Sequence, residues 1–154
     1  MHEYFPNATI YGLDIFVRVK EEDIPILNEE RVEHLKVDSL DPSSQDLIRK
    51  TWPSVDFDII IDDGAHWPEA NKLTFRHTFP LLKKNGKYFV EDVWPINIMT
   101  TKEKSHDWIA SRERYNSQAY IEFLDEIGTH TLYDQRQKSN GKFIGDSAII
   151  MVEK

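Results

Sequence analysis

Apolar residues along this chain change their period in a regular order. Thr9-Ile10-Tyr11-Gly12-Leu13 is a short strand-like run that ends on Asp14, and Val32 to Val37 is another. Phe57-Asp58-Ile59-Ile60-Ile61 is a third, too short and β-branched for a helix and suited to a strand buried on both faces. Tyr88-Phe89-Val90 is a fourth. Helical stretches separate them. Glu21-Glu22-Asp23 with Pro25 opens a turn-rich segment leading to a short helix through Leu27 to Arg31, and Ser43 or Ser44 caps a helix over Gln45 to Thr51. Pro68 starts a third helix whose inward stripe is Ala70, Leu73, Thr74, His77 and Leu81. Pro80 ends or kinks it near Phe79, and Lys83-Lys84-Asn85-Gly86 reads as its C-terminal turn. Alternation of this kind predicts an α/β sandwich with a mostly parallel sheet.

After Trp94 the pattern breaks. Ile96 to Tyr115 has no clean period, and a loop of that length is usually a lid or binding segment. Trp94, Trp108 and Tyr115 either line an acceptor pocket or pack the loop onto the domain. Ser117 to Ile127 is an amphipathic helix with Tyr120, Phe123, Leu124 and Ile127 inward. Thr129 to Gln135 and Ser147 to Val152 form an antiparallel hairpin through a turn at Asn140-Gly141.

Length and charge narrow the picture. The 154 residues fit one domain, 40% apolar and able to pack a core. A net charge of −8 argues against a general nucleic-acid or anionic-membrane binder, and no apolar run approaches a membrane span. The absence of Cys excludes disulfides and thiolate metal sites and suits a cytoplasmic setting. His77, His106 and His130 lack partners at metal-ligand spacing and read as structural.

The chemistry concentrates at strand ends. A right-handed βαβ unit brings Asp62-Asp63 and Glu91-Asp92 to one edge of the sheet, where open α/β folds bind ligands. Carboxylates crowded together repel unless a cation or protons intervene, and hard oxygen donors suit Mg²⁺, Mn²⁺ or Ca²⁺. His66, three residues after Asp63, leans over the same place, and an imidazole is a side chain suited to general-base work near neutral pH. The plainer account is that Asp63 only caps the following helix. Asp14, ending its strand, suits a nucleoside ribose. Asp38 or Ser39 suits an adenine amino group, or simply makes a turn.

Tyr4 to Ile15, Asp38-Ser39-Leu40-Asp41-Pro42, Phe57 to His66 and Tyr88 to Asp92 together resemble the S-adenosylmethionine-dependent class I methyltransferases. The likeness is greatest to the metal-dependent macrolide-sugar O-methyltransferases of the mycinamicin and tylosin type, and covers most of the chain up to Trp94. The resemblance implies a Rossmann-like sandwich ending in an antiparallel hairpin. It implies Mg²⁺ (or Mn²⁺) on Asp63, Glu91 and Asp92, with His66 as the base. Asp14 would hold the cofactor ribose, Asp38 with Ser39 the adenine, and Asp62 would face S-adenosylmethionine. The acceptor would be a sugar, glycoside or other small-molecule hydroxyl. The family's first strand, with its glycine-rich turn, is missing ahead of Tyr4-Phe5-Pro6. Three explanations stay open: a truncated chain, direct pairing of the strands ending at Asp14 and Asp62 in a shrunken sheet, or an edge supplied by a second chain in a homodimer. A catalytically silent remnant acting as a binding or assembly module is the competing reading, and a metal-dependent hydrolase a third.

Overall fold

The computed structural model describes residues 1, 3–104, 116–136, 138–139, 142–143 and 148–154. They form two units, Met1–Val55 and Asp56–Lys154.

In the first unit, β1 (Ile10–Asp14) pairs in parallel with β2 (Val32–Lys36), Asp14 level with Lys36. Two 3₁₀ turns, Glu21–Asp23 and Pro25–Asn28, connect them in place of the expected helix to Arg31. Pro25 starts the second turn but withholds a backbone donor, so the two turns do not fuse into one helix. Near the chain start Phe5 N donates to Met1 O at 2.9 Å, and Arg31 Nη1 donates to the carbonyls of Phe5 and Ala8. Helix α1 (Ser44–Thr51) is entered without a serine side-chain cap; instead Asp41 accepts from Ser43 N at 2.8 Å and Ser43 Oγ at 2.7 Å. Trp52, after α1, meets Tyr11 edge-on at 4.8 Å and donates its indole N–H to Glu33.

The second unit holds a four-stranded sheet in the order β3-β4-β8-β5. β3 (Phe57–Asp62) and β4 (Leu82–Val93) are parallel; β8 (Ala148–Glu153) runs antiparallel to both β4 and β5 (Thr131–Asp134). The C-terminal antiparallel pair is thus as expected. A two-residue ladder, β6 (Lys138–Ser139) with β7 (Lys142–Phe143), flanks positions 140–141, which lie outside the described residues. β1 and β2 form a two-stranded sheet of the first unit, and β3 is the first strand of the sheet in the second. That edge position explains why Ile59 is 43% exposed, against the expectation of a strand buried on both faces.

Helix α2 (Pro68–Thr78) ends one residue before Phe79 and passes into a 3₁₀ turn through Pro80. Its buried stripe runs through Asn71, Thr74, Phe75 and Thr78, while Leu73 and His77 are only half-buried. The inward polar groups find partners: Thr78 Oγ1 donates to Thr74 O at 2.6 Å and lies 3.2 Å from the Tyr88 hydroxyl. Lys83 to Gly86 does not cap α2. It is an irregularity inside β4, where the register moves from Phe57↔Leu82 to Ile59↔Lys87 and Asn85 takes φ 64°. Gly86 is needed there, since a Cβ would stand 2.8 Å from Leu82 Cγ and 3.0 Å from Asp58 O. Asn85 N and Gly86 O then bond the terminal Lys154.

Helix α3 (Ser117–Ile127) is capped by Asn116, whose side chain accepts from Ala119 N at 2.7 Å. Tyr120, Phe123 and Ile127 pack with Tyr88, Val90, Ile150 and Val152 of the sheet, and Leu124 and Trp94 lie against this core. Trp94 therefore packs inward; Trp108, Tyr115 and His106 lie outside the described residues. Arg76 of α2 grips Glu126 of α3 with two bonds of 2.7 Å, and Lys72 reaches Glu122 at 3.3 Å. Among the described residues no helix is long and apolar enough to cross a membrane.

Candidate functional site

Parallel pairing of β3 and β4 places Asp62 level with Val90, so Asp63, just past β3, and the Glu91-Asp92 pair, near the end of β4, come to the same carboxyl-end side of the sheet. Loop 63–67 then carries His66 back over that side before Pro68 starts α2. One ligand atom each from Asp63, His66 and Asp92 all lie within 4.8 Å of one another. His66 Nε2 is 3.8 Å from Asp63 Oδ1, an ion-pair distance rather than a hydrogen bond. The imidazole is 28% exposed and the Asp63 carboxylate 65%, so the group opens to solvent on the Asp63 side. Among the described residues, His66 Nδ1 is buried without a hydrogen-bond partner.

Two of the three sit on unusual backbone. His66 has φ 59° and Asp92 φ 52°, left-handed conformations that cost an ordinary L-residue about 1–2 kcal/mol each. Asp92 reaches its conformation in a bulge: from Val90↔Ile150 to Val93↔Ala148, β4 advances three residues while β8 advances two. A bulge of this kind re-aims a side chain, and here the re-aimed one is Asp92. Glu91, half-buried beside it, stands outside the trio.

Asp62 faces inward. It is 5% exposed, accepts from Asn71 Nδ2 at 3.0 Å through Oδ2, and from Gly64 N at 3.2 Å through Oδ1. Burial pushes its carboxyl up, opposed by these two hydrogen bonds and by His66. Asn71 was not marked by the sequence; an amide on the buried stripe of α2 beside an acidic strand end is the signal that points to it.

In the first unit, Asp14, Asp38 and Ser39 gather at the carboxyl ends of β1 and β2. Asp14 accepts from Phe16 N at 2.5 Å and Asp38 from Leu40 N at 2.9 Å, so each closes a local turn with one oxygen. Both carboxylates are exposed and Ser39 is half-buried. Of the other histidines, His130 contacts Gly128 O at 2.7 Å, and His77 lies on α2.

No family model matches the chain. It is 34% identical over 91 residues to mycinamicin VI 2''-O-methyltransferase of Micromonospora griseorubida, covering 59% of this chain and 21% of that protein. It is 36% identical over 92 residues to demethylmacrocin O-methyltransferase of Streptomyces fradiae, with the same coverage. The chain thus spans about a fifth of the length of these curated relatives. Among solved structures, MycE methyltransferase of the mycinamycin pathway, in complex with Mg, SAH and mycinamycin VI, matches 99% of this chain with TM-score 0.57 and 24% identity, over 38% of its own length. In sequence the chain is similar to a part of these O-methyltransferases, and its fold is that of the methyltransferase structure it matches.

Proposed function

We propose that this chain is one methyltransferase-like domain that handles metal and acceptor in an S-adenosylmethionine-dependent O-methyltransferase, acting on a sugar or other small-molecule hydroxyl. The convergence of Asp63, His66 and Asp92 from two neighbouring strand ends carries this reading. Two carboxylates and one imidazole fit a divalent cation of the Mg²⁺ or Mn²⁺ type, for which oxygen donors are the natural partners. Asp63 and Asp92 are the ligands proposed, with Glu91 on the same strand end as the third. The imidazole, a poorer partner for Mg²⁺, is left for proton transfer.

Asp63, Asp92 and Glu91 would hold the cation, which when bound would supply charge stabilisation to an acceptor oxygen. His66 takes the proton of that oxygen at Nε2, the ring nitrogen on the Asp63 side. The left-handed backbone at His66 and Asp92 fixes both side chains before the acceptor arrives, so less order must be imposed on binding. Asp14 is proposed for the ribose of S-adenosylmethionine, and Asp38 with Ser39 for its adenine. Without cysteine, the chain is suited to the cytoplasm.

The test is methyl transfer from S-adenosylmethionine to a macrolide glycoside or rhamnoside, monitored by mass spectrometry. A gain of one methyl group that needs Mg²⁺ and disappears in His66→Ala supports the reading. Cofactor and metal binding without transfer to any hydroxylated acceptor favours a silent binding module.

A further inference from the structure

We infer that Asn71 is a positioning residue that acts through Asp62 to hold the loop bearing Asp63 and His66. The inference rests on the proposed metal site and deepens it.

The Asp62 carboxylate touches both ends of the loop. Its Oδ1 receives Gly64 N at 3.2 Å, where the loop leaves β3. Its Oδ2 receives Asn71 Nδ2 at 3.0 Å, on the first turn of α2, where the loop ends. Asn71 is fixed by its backbone as well, with its N–H donating to Trp67 O at 3.0 Å. Both side chains are almost fully buried, at 4% for Asn71 and 5% for Asp62. Two buried polar groups this well matched exclude water and define one geometry.

Loop and brace fit closely. A Cβ on Gly64 would lie 3.1 Å from Asp62 Oδ1, tighter than ordinary contact, so the glycine lets the backbone settle onto the carboxylate. Between the two anchored points, His66 takes its left-handed φ of 59°. Such conformations persist only where surrounding structure over-determines them, and the brace from Gly64 through Asp62 to Asn71 is the structure that does so here. Asp62, on this account, faces the protein and sets its neighbours instead of meeting a ligand.

The tests use Asn71→Ala, Asn71→Ser, and the reciprocal exchange D62N/N71D, which can rebuild the hydrogen bond with donor and acceptor swapped. Two readouts are taken well below each variant's melting temperature. The first is metal-free: amide hydrogen exchange across residues 63–67. The second is Mn²⁺ affinity by calorimetry. The expected result is faster exchange at Gly64 and about 10- to 100-fold weaker Mn²⁺ binding in the single variants. The exchange variant should recover most of both. If Asn71→Ala fails to fold, Asn71→Ser and D62N/N71D carry the comparison. Wild-type exchange and wild-type affinity in a folded single variant overturn the inference, as does a lower melting temperature with neither readout moved. If the unmodified chain binds no Mn²⁺, the metal reading fails, and loop exchange alone decides the brace.

Discussion

Asp62 of β3 stands level with Val90 of β4, and this one register decides which side chains meet at the sheet edge. One residue beyond Asp62 is Asp63; two beyond Val90 is Asp92. A shift by one residue would turn each side chain to the opposite face of its strand. The bulge at Glu91-Asp92 then adjusts the aim locally without disturbing the Tyr88 and Val90 side chains that anchor the core.

That bulge predicts a trade between stability and function. Asp92→Asn keeps a residue type that tolerates the left-handed backbone and removes one of two neighbouring negative charges. The metal-free variant should be more stable by on the order of 0.5 kcal/mol, a melting temperature higher by about 1–2 °C. Its affinity for Mg²⁺ should fall sharply. Differential scanning calorimetry with and without Mg²⁺ checks both: the wild-type protein should gain stability from the ion and the variant should not.

Acid should loosen the contact between α2 and α3. Hydrogen bonding from Arg76 holds Glu126 below the ordinary 4.5, and Gln118 with Lys72 does the same for Glu122. Depressed folded values mean that this stabilisation is present above about pH 4.5 and is lost as pH falls through the lower folded values. Arg76→Ala should flatten the acid limb of a stability–pH curve. Added salt should also shrink it, because these groups are solvent-exposed enough to be screened.

At the alkaline end Tyr120 contributes beside Tyr88, whose hydroxyl burial also pushes up. Burial pushes the Tyr120 hydroxyl from 10.0 to about 12. A raised folded value gives stabilisation that is complete below pH 10 and lost as pH rises through 12. Tyr120→Phe should unfold at higher pH than the wild-type protein. Circular dichroism between pH 9 and 12 would show the separation, and coincident curves would count against it.

Phe123 is fully buried among Tyr120, Ile150 and Val152. Truncation to alanine should cost about 3–5 kcal/mol, from lost burial and the cavity left behind. Urea unfolding of the isolated variant measures it. A loss below about 1 kcal/mol would mean that α3 contributes little to this core.

Much of this was legible from the residues. Asp-Asp-Gly-Ala-His after a β-branched run, and Glu-Asp after Tyr-Phe-Val, pointed to two strand ends and to Asp63, His66, Glu91 and Asp92, of which Glu91 stands outside the trio that the fold gathers. Apolar period alone located α3 and its inward Tyr120, Phe123 and Ile127, while the Asn116 cap came with the structure. What stayed hidden depends on tertiary pairing. Polar Asn71 and Thr78 face inward on α2 because Asp62, Tyr88 and the carbonyl of Thr74 receive them, and no periodicity rule expects an amide in a core. Lys83-Lys84-Asn85-Gly86 has the composition of a helix stop, yet the bonds of Asn85 and Gly86 to the distant Lys154 draw it into β4. The left-handed turn at Asp92 is likewise invisible until β8 is laid beside β4.

Calorimetric titration of Mn²⁺ into the metal-free protein, repeated with Asp63→Ala and Asp92→Ala, bears most directly on the whole account. One binding event in the wild-type chain, lost in each variant while circular dichroism stays unchanged, is the predicted result. Silence in the wild-type protein, or equal heat from all three, would contradict a cation site at these strand ends.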